Sequence, residues 1–324
     1  MKKSNSNILS STFFKNILRR ILIFVFRPYI YRELIGWGVI YRIFIGGFKR
    51  NWLWAGTKPF WTLGKLHNYL LWVDISQWSD RSTFFLGRWY ALPVQLALKE
   101  ILRPGDEVVD IGANQGMMSL ISSRLVGDSG KVTAFEPNPE PRAHFYKNIE
   151  KNNIRNIVIY SFALGDKEST LELFVPYINS GGATFGKPLY RPENGYKVQC
   201  QVKIGDEILM HLRPVLIKID VEGFEESVLR GLGKTIERCK PIFVVEMIQE
   251  LSKRCGSSIE KICGFFEERD YRGYKLSVER FPRRGRLKLL AVKSTSAWTD
   301  EEDVLWIHKD DDRRRQLIVS EQST

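Results

Sequence analysis

Residues Glu107–Asn138 read EVVDIGANQGMMSLISSRLVGDSGKVTAFEPN, and this stretch decides the fold. The apolar pair Val108-Val109 runs into an acid, Asp110. A glycine-spaced turn follows, with Gly112 and Gly116. Met117 to Val126 then carries the apolar period of a helix, and Val132 to Phe135 forms a second strand ending on Glu136. Strand, glycine turn, helix, strand and acid in that order make the βαβ unit of a nucleotide-binding sheet.

The two acids choose among nucleotides. A dinucleotide site needs G-x-G-x-x-G and sets a pyrophosphate over the turn; the spacing here is D-x-G-x-x-x-G. A carboxylate at Asp110 repels a pyrophosphate and suits a cationic group, such as the ammonium and sulfonium of S-adenosylmethionine. Gly112 lets backbone approach closely, and Gly116 lets the helix pack on the strand. Glu136 falls where a carboxylate accepts both ribose hydroxyls.

Outward from this unit the chain alternates. Helix Pro139–Lys151 and strands at 157–162 and 170–175 are expected, then strand 215–219 before helix 225–232, and strand 242–246 before helix 258–269. Such alternation predicts a parallel sheet with helices on both faces. Residues 275–308 read as β-rich. Upstream, 66–75 read as a strand and 94–102 as a helix. Four regions follow: a basic N-terminal segment (1–50), an entry region (51–104), the catalytic domain (105–310) and a charged tail (311–324). The stretch 176–196, PYINSGGATFGKPLYRPENGY, holds four glycines and three prolines without periodicity. A loop of this length in a compact domain is expected to be functional, here as a lid over the acceptor.

VVDIGANQGMMSL, AFEPNPE and IKIDVEGFEESVLRGL (the last from Ile217 to Leu232) occur in the order found in the FkbM-type methyltransferases, and the chain resembles that family over about half its length, from Asp80 to Met247. The resemblance implies a class I Rossmann-like methyltransferase fold with a mostly parallel seven-stranded sheet. It also implies S-adenosylmethionine-dependent O-methylation, with hydroxyls of sugars or polyketides as acceptors. Carried onto this sequence, it assigns Asp110, Gly112, Asn114, Gly116 and Glu136 to the cofactor; Asn138 and Ala163, beside the ends of the next strands, join that set. One departure is Ala91, which follows GRWY (Gly87 to Tyr90) where the family often has an acid.

Ligands of an open α/β sheet bind beyond the carboxyl ends of its strands. Asp220, Glu222 and Glu246 lie at such ends. Methyl transfer to a hydroxyl needs an oxygen held in line with the methyl group and a route for its proton. Asp220 or Glu222 is the expected base; alternatively, Asp220 with Glu246 holds a magnesium or manganese ion. Glu222 also has a purely structural reading, as a helix-start acid. Lys218 shares a strand face with Asp220 and pairs with a carboxylate or orients an acceptor. None of the four histidines falls beside these acids. The position after the fourth core strand reads D-V-E-G instead of (D/N)-P-P-(Y/F), and no Pro-Cys pair occurs, so nucleic-acid methylation is not expected.

The net charge of +12 is uneven: residues 1–58 hold eleven Lys or Arg against one acid, Glu33, and so carry +10 of it. A basic stripe around a catalytic face, as in a nucleic-acid enzyme, is therefore not predicted. Ile21 to Phe26 is the longest apolar run of that segment, six residues, whereas a spanning helix takes about 20. An export signal is not recognised either. Phe14, Ile17, Leu18, Ile21, Leu22 and Val25 share a helical face, with Lys15 and Arg19 turned away and Arg27-Pro28 as the expected end. This pattern predicts a helix lying in the plane of a membrane or packing on the domain. The four cysteines have neither metal-site nor disulfide spacing. The protein is thus expected to be cytoplasmic and peripheral to the inner membrane face. The acceptor is expected to be a sugar hydroxyl of a glycan or glycolipid. A small secondary metabolite is the alternative acceptor, and a non-catalytic S-adenosylmethionine-binding protein the alternative activity.

Overall fold

A computed structural model describes residues 3–32, 36–46, 50–65, 67–86, 91–177, 180–188, 191–279, 286–291 and 302–311. Expectations for Gly87–Tyr90, for the tail beyond Asp311 and for part of the 176–196 loop lie outside them.

The N-terminal part contains helices α1 (Lys3–Arg32), α2 (Trp37–Ile40), α3 (Asn51–Trp54), α4 (Trp78–Leu86) and α5 (Leu92–Ile101). It also contains the hairpin β1 (Phe60–Leu63) and β2 (Leu70–Val73), antiparallel with Leu63 opposite Leu70. The strand expected over 66–75 is therefore shorter, because pairing with β1 ends at Val73. The core follows as β3 (Glu107–Ile111), α6 (Met117–Val126), β4 (Lys131–Phe135), α7 (Pro139–Lys151) and β5 (Ile157–Tyr160). Next come β6 (Ala163–Gly165), β7 (Ser169–Pro176), β8 (Gly195–Ile204), α8 (Gly205–Ile208), β9 (Leu216–Ile219), α9 (Glu225–Arg230) and α10 (Gly233–Cys239). The chain continues through β10 (Ile242–Met247), α11 (Gln249–Arg254), α12 (Ile259–Glu267), β11 (Tyr271–Glu279), β12 (Arg286–Ala291) and β13 (Glu302–His308).

The main sheet is ordered β12-β11-β13-β10-β9-β3-β4-β5. Strands β5, β4, β3, β9 and β10 run parallel, and β13 is inserted antiparallel between β10 and β11. Seven strands thus follow the class I methyltransferase order, and β12 extends the edge as an eighth. The chain reverses direction across the sheet between β3 and β9, so the carboxyl ends of these strands form the crevice where ligands of such sheets bind.

Strict alternation builds one core on each face. Val108, Val132, Leu216, Ile242 and Val244 point to the side of α5, α6 and α7, with Leu98, Leu120 and Phe145. Val109, Ile111, Ile217, Ile219, Phe243 and Val245 point to the side of α9, α10 and α12, with Val228, Ile236 and Phe266. These are two-faced buried strands, which explains their near-continuous apolar reading.

Further expectations change. The strand expected over 170–175 is not in the main sheet. It is β7, in a separate three-stranded sheet ordered β6-β8-β7, because ten-residue β8 pairs along its whole length. The helix expected to stop at Arg27-Pro28 runs on to Arg32. A proline removes its own donor and its ring crowds the carbonyl four residues back, yet the backbone stays helical on both sides of Pro28.

The faces of α1 also differ from the expected ones. Arg19 is buried and turned to the body, donating to the carbonyls of Leu53 and Ala55. Leu18, Leu22, Ile23 and Phe26 pack beside it, while Phe14, Ile17, Ile21 and Val25 are exposed. Two carbonyls left at the end of the short helix α3 are a strong draw for a guanidinium, which outweighs a hydropathy pattern apolar on both sides. Tyr41 and Ile45 share an apolar cluster with Leu53, Trp54, Phe85 and the main core, so packing crosses the boundary expected at residue 50.

Candidate functional site

A cavity of about 510 Å³ opens at the carboxyl ends of β3, β4, β9 and β10. Its floor is the glycine turn. Gly112 has φ of +80°, and a Cβ there would overlap the carbonyl oxygen of Asp220. The turn thus lies directly on the end of β9, which only glycine permits. Gly116, at φ +84°, serves packing: a Cβ would run into the Phe145 ring of α7. It starts α6 without lining the cavity.

Glu136 is fixed from two sides. The Asn114 amide donates to its Oε2 (2.7 Å) and the Asn138 amide to its Oε1 (2.8 Å). Each oxygen keeps a second lone pair for a ligand hydroxyl. Burial pushes its carboxyl up to about 7, against the pull of those two amides. Asn114 holds φ of +51° to present its amide and lines the cavity with Ala163. Asn138 lies outside the lining, where it caps α7 by accepting from the Glu140 amide (3.3 Å) and anchors Glu136.

Asp110 takes a different position from its neighbours. It is buried and stands behind the cavity wall, accepting from Ser119 Oγ (2.6 Å) with Lys218 Nζ 3.7 Å away. Lys218 reaches past it to Asp220 Oδ2 at 2.9 Å. Burial opposes the charge of Lys218, but Asp220 and Asp110 together hold its ammonium well above the usual lysine range.

At the far end, Asp220, Glu222 and Glu246 offer oxygens within 4.8 Å of one another, and Asp303 of β13 joins the lining. Burial, followed by repulsion from Asp220, Glu222 and Asp303, lifts Glu246 well above the carboxylate range, which favours its neutral form. Glu222 sits at φ +51°. Its carbonyl accepts from Thr184 Oγ1 (2.7 Å), which ties the turn to the loop after β7. The helix-start role belongs instead to Glu225, whose Oε1 accepts from the Gly223 amide (3.0 Å), leaving Glu222 to line the cavity. The donor set of three carboxylates suits a hard divalent cation, although Lys218 already neutralises part of Asp220.

Within the 176–196 loop, Gly181, Ala183 and Phe185 line the cavity, and Thr184 bridges back to Phe174. The N-terminal part supplies the remaining wall: Tyr41, Trp72, Trp78, Asp80 and Ser82. Sequence reasoning missed these residues because they belong to no motif; they reach the site only by the packing of the Tyr41–Ile45 turn, β2 and α4 against the core.

The family model described as "Methyltransferase FkbM domain" matches residues 110–272. The chain belongs to the FkbM methyltransferase family. The matched span runs from the floor of the cavity through β9, β10 and α12 to β11, and so contains Glu136 and the three clustered acids. Among curated relatives, "Methyltransferase 1" of Beauveria bassiana is 30% identical over 144 residues, covering 39% of this chain and 57% of that protein. A protein-L-isoaspartate O-methyltransferase of Aeropyrum pernix is 35% identical over 75 residues, covering 23% and 28%. The chain therefore spans from about a quarter to just over half the length of these relatives. Among solved structures, an FkbM methyltransferase from Methylobacillus flagellatus aligns at 16% identity and a TM-score of 0.37, covering 71% of this chain and 54% of that one.

Proposed function

We propose that this protein is an S-adenosylmethionine-dependent O-methyltransferase whose acceptor is a sugar hydroxyl of a glycan or glycolipid. One observation carries the reading: a single cavity holds a ribose-type carboxylate, Glu136, and a separate group of carboxylates, Asp220, Glu222 and Glu246. The residues fit the cofactor. Glu136 is held by two amides with lone pairs to spare, and Gly112 leaves a cradle that a Cβ would fill.

Bound there, S-adenosylmethionine supplies a methyl carbon activated by its sulfonium. Transfer forms one C–O bond and breaks one C–S bond, whose electron pair stays on sulfur. Asp220 takes the hydroxyl proton as the oxygen attacks. Glu246, whose neutral form burial favours, donates a hydrogen bond to an acceptor oxygen, and Lys218 holds Asp220 in place. Carboxylates that accept from several hydroxyls, with Trp72, Trp78 and Phe185 in the same lining, match the chemistry of a sugar. A largely apolar metabolite would leave these acids without partners, at a cost of about 1–3 kcal/mol each. A non-catalytic binding protein would have no use for the second acidic group.

The proximity of the three carboxylates favours one further reading, in which they hold a magnesium or manganese ion against the acceptor oxygens. Turnover of labelled methyl donor with glycan acceptors, with and without a chelator, tests both. Activity that survives chelation supports Asp220 as the base, activity restored by magnesium supports the cation, and saturable binding of NAD in place of S-adenosylhomocysteine overturns the cofactor reading.

For location, the exposed face of α1 supports contact with an anionic membrane. Phe14 and Phe24 are 74% and 76% exposed, and the exposed Ile17, Ile21, Ile43, Phe44 and Trp52 extend the patch. Exposed Arg20, Arg27 and Arg42 accompany it. Two copies of this surface would repel through the same cations, whereas anionic headgroups neutralise them. No described helix is long and apolar enough to cross a membrane, so the contact lies in the plane of the surface.

A further inference from the structure

Six carboxylates of the described residues line the cavity: Asp80, Glu136, Asp220, Glu222, Glu246 and Asp303. Glu136 anchors the ribose, and four form the acidic group at the ends of β9, β10 and β13. Asp80 belongs to neither. It lies in the first turn of α4, 98% buried, outside the span that the family model matches.

Its setting is specific. Oδ2 accepts from the Asp74 amide (2.6 Å), and the carboxyl hydrogen-bonds the Gln115 side chain. Gln115 follows Asn114, whose amide holds Glu136. Asp80 and Glu136 therefore grip adjacent residues of one turn, whose Cα atoms are about 3.8 Å apart. A molecule whose ribose sits on Glu136 and whose amino-acid arm crosses the Gly112–Gln115 turn brings that arm to Asp80.

The arm ends in an α-ammonium, which needs a carboxylate in a cavity this enclosed. From the sequence, Asp110 is the acid for that role. In the structure Asp110 stands behind the wall, bonded to Ser119 and paired with Lys218. Its charge is already answered by a lysine, and the lining excludes it. We propose that Asp80, contributed by the N-terminal part, is the counter-ion that binds the α-ammonium of the cofactor. The proposal rests on the S-adenosylmethionine reading. It makes the N-terminal part a component of the cofactor site. Burial lifts the Asp80 carboxyl to about 7, with Asp74 adding to the repulsion, and a cationic ligand restores its ionised form.

Calorimetric titration of the full chain tests this, using S-adenosylhomocysteine and its deaminated analogue, the same molecule without the α-ammonium. Asp80→Asn keeps an acceptor oxygen for the Asp74 amide. It is expected to weaken S-adenosylhomocysteine at least tenfold and the analogue less than twofold. Asp80→Glu, which keeps the charge, is expected to recover part of the loss. An unchanged affinity for S-adenosylhomocysteine in Asp80→Asn, or an equal loss for both compounds, overturns the assignment. Wild-type protein that binds neither compound overturns the cofactor reading itself, and this assignment with it.

Discussion

Asp110 and Lys218 are register partners on neighbouring strands, 108 positions apart in sequence, with the Lys218 ammonium 3.7 Å from the Asp110 carboxylate. Both side chains are buried, and the same ammonium reaches Asp220 at 2.9 Å. One lysine thus ties the strand that begins the cofactor turn to the acid that ends β9. Removing one partner of such a pair leaves an uncompensated buried charge, at about 3–5 kcal/mol. Lys218→Met is therefore expected to lower thermal stability sharply. Differential scanning calorimetry checks this; a midpoint within a degree or two of wild type would refute the pairing.

Asp220→Asn should remove the proton acceptor while keeping the shape of the site. General-base loss typically costs about 10²–10⁴ in rate. The expected outcome is a kcat lower by that range with S-adenosylhomocysteine affinity retained. Comparable turnover in the variant would exclude Asp220 as base.

Burial lifts Glu136 to about 7 in the folded protein, against about 4.5 for an ordinary carboxyl. Between those values the folded state binds more protons than the unfolded one. Stability from this group is thus present at low pH and lost as pH rises through the window, with a slope of at most about 1.4 kcal/mol per pH unit. Thermal midpoints of ligand-free wild type should therefore fall from pH 5 to pH 8 more steeply than those of Glu136→Gln. Parallel profiles would contradict the shift.

Gly112→Ala forces a Cβ into the Asp220 carbonyl at a positive φ. The turn must then move off β9, separating the two halves of the cavity. A loss of about 2–4 kcal/mol is expected, with cofactor binding abolished. Chemical denaturation and calorimetry measure the two effects; a variant that binds normally would mean the close approach is not needed.

The double variant Ile17→Asp with Ile21→Asp changes the exposed face of α1 and leaves Arg19, Leu22 and Phe26 in place. Co-sedimentation with phosphatidylserine vesicles should fall at least fivefold, and wild-type binding should weaken with salt over a Debye length of about 10 Å at 0.1 M. Binding unchanged by the substitutions would place the contact elsewhere.

The βαβ unit was legible because its signals are local. Two glycines, two acids and a periodic helix lie within 107–138, and each element formed within a residue of its expected bounds. Parallel strands buried on both faces read as short apolar runs between helices, so the alternating core could be placed as well. The segment 170–175 read as one more such strand, because a strand's residues do not declare which sheet it joins; its ten-residue partner β8 decided that. The face of α1 was misread for a related reason. Apolar residues fall on more than one side of 13–26, so periodicity alone does not choose a face, and the carbonyls of Leu53 and Ala55 chose it by binding Arg19.

By itself the sequence determined the nucleotide-type unit, the family it resembles and the acids at the strand ends. These depend on residue type and spacing along a few turns of chain, where the backbone geometry is nearly invariant. Tertiary structure alone decided which acids share a cavity and which stand behind its wall. Asp110 went to Lys218, Glu222 was freed from helix capping by Glu225, and Asp80 arrived from a segment without a motif. Such partnerships depend on which side chains are brought within a few ångströms by folding, and charge burial then fixes their protonation.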